Sequence, residues 1–548
     1  MRKPGKFSAP VGISKQTTIP TMPVLDIPEL PTIRQPALSS QKQHRAIQEW
    51  GIVGLLLAIA LLVRLYAAFH TGLEVDEPIY HNAAVLALRY GYPSIRPAYH
   101  HPVIPFLYHP PFYLFLLMNW FKLWESISYL TGRMLSVITS LVMLLLLYGF
   151  TKQVLGRKVV LIALVLVGSD VWIIFTNQAI YLENSLMLLI ILAIWVYWRA
   201  TNTLPLSRSR YLAWYGLAGL LVGCVIIYKQ IGGFIVLVIL LNLLLQRKHW
   251  LGHAVLCGVI LLVVAGYGLA MHLAFGTLYD TALLDQLYRT LGEKAAPGLN
   301  DGLLVAFQAI WTRYWIFLVT IVVLLGGSAI TLLRYLQELF RRRNVSQPVI
   351  VSWALGGVLF ALGISLKSPH YMILWIVPLY LVLAQEVYEA LRNRRSRTRL
   401  HGFSRRARTL GLVLCVLLLV GDTWGFQARF LNARGDSLQQ ADSYINETLP
   451  PTAIVLTQNY IGVDLVPQFL DITLITTPQQ ILQKGVTFMA LYWSDTEPIS
   501  PSLGPVNRYC LPMKEFTGFK DYVEVCKIDP IALAAVANPP EMPGSNGP

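Results

Sequence analysis

Charge is scarce in this chain, and acids are scarcer than bases. Only 13% of the residues are charged, with 29 Asp and Glu against 44 Lys and Arg, while 55% are hydrophobic. Few charges set among many apolar runs of span length exclude a soluble globular protein and indicate a polytopic membrane protein. A net charge of +15 would suggest nucleic acid in a soluble chain. Here the basic residues fall between apolar runs, so they report topology, and no nucleic-acid partner is expected. No cleavable signal peptide is visible: the first apolar run begins near Gly51, too far into the chain, and is long enough to stay as a span. No internal repeat of the kind found in secondary transporters is visible. Cysteine is rare, with five in the chain. Cys224, Cys257 and Cys415 sit in apolar runs as packing residues. Cys510 and Cys526 lie on strand-like segments of the polar C-terminal region, where a disulfide can close a hairpin if that region is outside the cytoplasm.

Residues 1–48 are rich in Pro, Ser, Thr and Gln with scattered bases, and read as a disordered cytoplasmic tail. A multispan domain is expected over residues 49–428. Its spans are predicted at 51–69, 133–150, 159–176, 184–198, 211–227, 234–245, 251–275, 304–333, 349–366, 371–391 and 410–426, about eleven in all. The apolar stretch 109–124 is short. If it stays outside or lies at the interface, every strongly basic connection falls in the cytoplasm. About 27 Lys and Arg then lie inside, against about seven in the outer loops. The N-terminus is therefore expected inside and the C-terminal region outside, in a plasma or cytoplasmic membrane. Residues 429–537 change character: 437–447 reads as an amphipathic helix, and TAIVLT, DITLIT, VTFMALYW and YVEVCKI alternate like strands. This predicts a small α/β domain outside the membrane. Residues 538–548 read as a disordered tail.

The outer face carries few chemical groups, and the richest segment is the first outer loop, within residues 70–129. It contains Asp76-Glu77, then Arg89, Arg96, His81, His100, His101 and His109. The acidic pair has two readings. Acids in the first turn of a helix favour its dipole, and Pro78 suits an early helical position. Alternatively the pair is a base or metal site at the membrane surface. Glu183 opens a span, either as an N-terminal charge or as a second functional acid. Lys229 sits in a tight outer turn, either snorkelling or holding a lipid phosphate. Lys367 and His370 flank Pro369 before an aromatic span, whose aromatics suit the interface. The histidines can bind a metal, but no spacing among them is diagnostic.

The order of these features resembles a known family. A first span is followed by Asp76-Glu77-Pro78-Ile79-Tyr80, then by His109-Pro110-Pro111-Phe112-Tyr113. Next come Gly132-Arg133-Met134 opening a span, Gly156-Arg157-Lys158, Glu183, Lys229 and the basic-aromatic stretch from Lys367 to Pro378. Over about residues 50–430 this is similar to the GT-C membrane glycosyltransferases, in the branch of protein O-mannosyltransferases and aminoarabinose transferases. Two departures stand out. Ile180 and Tyr181 occupy the place where many relatives have an Arg, and His109-Pro110-Pro111 stands where many have Lys-Pro-Pro. The resemblance implies an all-α multispan enzyme that takes a sugar from a polyprenyl-phosphate donor on the outer face, with inversion expected. It maps catalytic roles onto Asp76, Glu77 and Glu183.

The chemistry runs in parallel with the resemblance. An acceptor hydroxyl needs its proton removed, and Asp76 is the candidate base. The leaving lipid phosphate gains charge, and Lys229, Lys367, His370, His109 and Arg89 are the candidates to hold it. With a monophosphate donor, basic side chains can replace a metal; a divalent metal stays open. The acceptor is a protein, lipid or glycan. Two other classes compete: a multispan transporter, which predicts acids or broken helices near mid-span, and a non-catalytic scaffold with an outer binding domain, which makes no demand on Asp76.

Overall fold

A computed structural model describes residues 36–291 except 75, 97–101, 203–206 and 247–249. It further describes 347–363 and 369–393, and parts of 323–337, 410–425 and 437–538. The chain divides into a short unit, Met1–Ile52, and a large one, Val53–Pro548. Of the first, only residues 36–52 are described, and they are helical.

The first helix, α1, is Pro36–His70, and the acidic loop follows it. Helix α2 (Glu77–Tyr90) has Pro78 in its first turn. It ends at Gly91, whose φ of 77° allows its N–H to reach the Ala87 carbonyl. A two-residue ladder, β1 (Ser94–Ile95) with β2 (Ile104–Pro105), closes the loop. Helix α3 (Phe112–Trp124) has 13 residues, too short to cross a bilayer.

Next come α4 (Tyr129–Val154), α5 (Arg157–Ser169), α6 (Val171–Gln178), α7 (Leu182–Asn202) and α8 (Arg208–Tyr228). They are followed by α9 (Phe234–Gln246), α10 (Trp250–Phe275), α11 (Thr277–Leu291), α12 (Pro348–Gly363) and α13 (Ile373–Asn393). Among the described residues, five helices are long and apolar enough to cross a membrane: Ala46–His70 within α1, then α4, α7, α8 and α10. The α5–α6 pair, bent by 63°, adds a sixth if it is one span. Gln230–Leu244 and Pro348–Ala361 are shorter apolar helices, and most of the expected span at 304–333 lies outside the described residues. Helices α7 and α10 pack on either side of α8. On α8, Gly219 and Gly223 lie one turn apart and face α10. A Cβ at either would fall 2.7 Å from Leu256 O or from the Val263 side chain. Small residues at this spacing let two apolar helices approach where no hydrophobic effect drives them together.

The C-terminal region forms a five-stranded sheet in the order β4-β3-β5-β7-β6. Its strands are β3 (Ile454–Thr457), β4 (Gln468–Asp471), β5 (Phe488–Ser494), β6 (Cys510–Thr517) and β7 (Asp521–Ile528). The β4-β3-β5 part is parallel and the rest antiparallel. Alternation divides its side chains between two cores. Val455, Ala490 and Tyr492 join helix α14 (Ser437–Thr448) on one face. Leu456, Met489 and Leu491 join α15 (Pro478–Gln483) and α16 (Pro530–Ala537) on the other. One expected strand is misplaced. Among the described residues DITLIT pairs through Asp471 alone, because β4 begins earlier, at Gln468, opposite Ile454. The chain then turns, with Ile475 N–H donating to Ile472 O at 3.1 Å.

Strands β6 and β7 form a hairpin, and Cys510 and Cys526 are bridged across it, 16 residues apart in sequence. The turn between the two strands, residues 518–520, lies outside the described residues. Mass spectrometry of unreduced peptides should recover the Cys510–Cys526 cross-link from protein made in an oxidising compartment. Loop-closure entropy for a ring of this size suggests that removing the bridge destabilises the hairpin by about 3 kcal/mol. Free thiols at both positions would contradict this.

Candidate active site

The site forms where five chain segments meet: the loop after α1, the start of α4, the turn before α7, the residue after α8, and a 3-10 turn, Pro369–Tyr371, before α13. The loop supplies two acids with different surroundings.

Glu77 is fully buried. Its Oε1 accepts from Arg133 Nε at 2.9 Å and from Ile180 N–H at 2.8 Å. Its Oε2 accepts from Arg133 Nη2 at 2.5 Å and from Glu74 N–H at 2.9 Å. The same guanidinium donates to the carbonyls of Ala68 (3.0 Å), Thr71 (2.8 Å) and Gly72 (2.6 Å), where α1 ends. A planar fork of five donors suits a bidentate carboxylate and several carbonyls at once, and the cation complements the helix C-terminus. Glu77 and Arg133 therefore tie together the end of α1, the start of α2, α4 and the turn before α7.

Asp76 occupies the N-cap position of α2, yet its side chain makes no cap hydrogen bond. Only its backbone carbonyl serves the helix, accepting from Tyr80 N–H at 3.1 Å. The carboxylate is 36% exposed and lies 3.9 Å from His370 Nε2. The geometry thus gives no support to a capping role.

Glu183 is buried in the first turn of α7 and accepts from Lys229 Nζ at 2.5 Å. His370 Nε2 lies 3.8 Å from the same carboxylate oxygen. Lys229 also stands 5.0 Å from the centre of the Tyr371 ring. Burial alone would lower the lysine's pKa, but Glu183 and Tyr371 more than offset it, so its pKa rises and it stays charged. His370 stacks on Tyr181 at 4.7 Å. Its burial outweighs the pull of Glu183 and Asp76, and Lys229 opposes its charge as well, so its pKa falls and the ring is neutral near pH 7. Tyr80 and Tyr181 are pushed well above the ordinary tyrosine value, first by burial and then by nearby carboxylates; their hydroxyls stay protonated.

Asp76, Glu183, Lys229 and His370 are therefore together. His109 is half-buried beside the Tyr80 ring, 5.9 Å between centres. Arg89 is not brought in: it is exposed near the C-terminal end of α2, roughly 18 Å along the helix from Glu77. Lys367 lies outside the described residues. The central cation of the loop, Arg133, is not among the sequence-derived site residues, although an arginine in the first turns of an apolar span signals a buried partner. Arg64 is a second such cation inside an apolar run. Buried in α1, it donates to Asn177 Oδ1 at 3.1 Å, and Asn177 donates to Asn184 at 2.8 Å, fixing the turn before Glu183. Asp170, at the break between α5 and α6, caps α6 through Ile173 N–H and accepts from the Tyr380 hydroxyl.

Residues 102–283 match the family model described as dolichyl-phosphate-mannose-protein mannosyltransferase. Two similar solved structures extend over most of the chain. ArnT from Cupriavidus metallidurans bound to undecaprenyl phosphate aligns with a TM-score of 0.55 and 12% identity, covering 89% of this chain and 99% of its own. The archaeal oligosaccharyltransferase AglB from Archaeoglobus fulgidus, in complex with an inhibitory peptide and a dolichol-phosphate, aligns at 0.53 and 13%. That match covers 80% of this chain and 69% of AglB. No curated protein sequence matches significantly. The chain has the GT-C fold of these structures, and residues 102–283, a third of its length, match the model of the protein mannosyltransferase family.

Proposed function

We propose that the protein transfers a sugar from a polyprenyl-phosphate donor to an acceptor hydroxyl at the outer membrane surface, with Asp76 as general base. The observation that carries this reading is the division of labour in the acidic pair. Glu77 spends both oxygens on the scaffold, while Asp76 stands at a helix start without capping it and faces His370. Asp76 takes the acceptor proton as the acceptor oxygen bonds to the anomeric carbon. The bond from that carbon to the phosphate oxygen breaks, and the polyprenyl phosphate leaves with the electron pair. Attack opposite the leaving group inverts the carbon. Lys229 and His370 stabilise the phosphate as its charge grows. The orientation that suits this chemistry has the N-terminus in the cytoplasm, about eleven spans, and the C-terminal sheet outside.

Basic side chains are proposed to do the work of a metal. Among the described residues no three of His, Cys, Asp and Glu form a metal-holding group. Where Asp76, Glu183 and His370 approach one another, Lys229 Nζ already sits on Glu183. A divalent ion there would face that cation, so these residues do not fit one.

The test is consumption of radiolabelled polyprenyl-phosphate sugars by purified protein, with mannose and aminoarabinose donors first. Transfer or acceptor-dependent release of the sugar supports the reading. Solute uptake by proteoliposomes without any donor consumption would favour a transporter. Lys229→Ala is expected to raise the donor Kd about tenfold, roughly 1.4 kcal/mol, and to destabilise the fold by leaving Glu183 buried without its cation. The double variant Lys229→Ala, Glu183→Gln should regain stability but not donor affinity, as read by thermal unfolding and donor titration. Full donor affinity in the double variant would remove Lys229 from the phosphate site.

A further inference from the structure

The acidic pair is bracketed by two apolar side chains, Leu73 and Ile79. Both pack on the C-terminal sheet domain, against the core formed by Leu438, Ala441 and Ile445 of α14 with Val523 and Val525 of β7. Ile79 also packs against the core of the membrane helices. It therefore belongs to two cores, three residues from Asp76. Glu77, between the brackets, is held from the membrane side by Arg133. Asp76 itself makes no cap bond to fix it. Its place is set by its neighbours, and two of the pegs on either side of it rest on a domain that begins more than 300 residues later.

We infer that the C-terminal domain is a positioning element for the acidic loop, acting through Leu73 and Ile79 to set where the Asp76 carboxylate stands relative to His370 and Glu183. The consequence for rate rests on the glycosyl-transfer reading; the mechanical coupling does not. Apolar contacts are non-directional singly, but interiors are close-packed and transmit small displacements. A base displaced by about 1 Å can lose on the order of a hundredfold in rate. A domain that merely tethers or captures an acceptor would have no need to share its core with the loop that carries the base.

The experiment uses the full chain in lipid nanodiscs, with hydrogen exchange read separately over residues 73–81 and over α14. Ile79→Ala and Leu73→Ala are compared with Ile79→Val, and with Tyr444→Ala, whose side chain packs on the same domain core. The expected result is reciprocal. Ile79→Ala and Leu73→Ala speed exchange in α14 as well as in the loop. Tyr444→Ala speeds exchange in the loop. Ile79→Val restores most of the protection. With whichever polyprenyl-phosphate sugar the wild type consumes, kcat falls about tenfold or more in the alanine variants while the donor KM stays within about twofold. Unchanged exchange in α14 for both Leu73→Ala and Ile79→Ala overturns the inference whatever the activity. Coupled exchange with an unchanged kcat overturns the positioning role. If Ile79→Ala does not fold, Leu73→Ala and Tyr444→Ala decide. A wild type inactive on every donor removes the proposed function, while the exchange measurement still decides the coupling.

Discussion

Asp76→Asn is expected to lower turnover by about 10²–10⁴ while the protein folds and expresses nearly as the wild type does. The expectation has two halves. The chemical half is that an amide of the same shape cannot take the acceptor's proton, so the acceptor oxygen stays a poor nucleophile. The structural half is that little else depends on the carboxylate. It makes no cap hydrogen bond to α2, and its oxygen approaches His370 no closer than 3.9 Å. Helix-dipole stabilisation by an exposed acid at this position contributes only about 0.3–1 kcal/mol. The measurement is sugar transfer at saturating donor and acceptor, beside thermal unfolding of the same preparation. Near-normal turnover would remove Asp76 as the base. A large loss of stability with proportionate loss of activity would return the residue to a structural role. Glu77→Gln should lower turnover less than Asp76→Asn, because both Glu77 oxygens are taken up by Arg133 and backbone N–H groups while the proposed base is Asp76.

Arg133→Ala should be the most destabilising single change in the site, by about 3–5 kcal/mol, and should abolish transfer. Glu77 is fully buried, and Arg133 supplies two of its four hydrogen bonds. Without the guanidinium a carboxylate is left in the interior with two backbone donors and no counter-charge. The carbonyls of Ala68, Thr71 and Gly72 lose a shared donor at the same time. Lysine does not rescue the site, since one ammonium cannot reach both carboxylate oxygens and three carbonyls in the geometry of a planar fork. Adding Glu77→Gln to Arg133→Ala should recover part of the stability by removing the stranded charge, yet not restore transfer, because the loop has lost its anchor. Unfolding temperature in detergent and transfer rate together decide. Equal stability of Arg133→Ala and the wild type would mean that the pair is not the keystone of the loop.

Much of the architecture was legible because it is locally encoded. Apolar runs marked the helices of the membrane domain, while for the stretch at Phe112–Trp124 length left the reading open and the charge of the loops, not length, argued that it stays outside. The helix at Ser437–Thr448 and the strands at Ile454–Thr457, Phe488–Ser494 and Asp521–Ile528 follow from periodicity. The strand before Ile472 is not legible in the alternation, because its limits come from pairing with β3. Among the site residues, sidedness picked out Asp76, Glu183, Lys229 and His370, since outward charges are few. It also picked out Arg89, which is exposed at the far end of α2, because sidedness says nothing of position along a helix.

By itself, then, the sequence determined that the chain is a multispan membrane protein with a small α/β region near its end and an acidic pair just beyond its first span. Each of these rests on neighbours in the chain: hydropathy over about twenty residues for a span, alternation over a few for a strand. Only the tertiary structure decided which acid is scaffold and which faces the site. Glu77 meets Arg133 56 residues away and the Ile180 backbone 103 residues away. Lys229 meets Glu183 across 46 residues, and Leu73 and Ile79 meet a domain more than 300 residues on. Adjacent acids look alike in sequence, and they differ here because packing buries one against a guanidinium and leaves the other at the rim, where its carboxylate stays partly open to water.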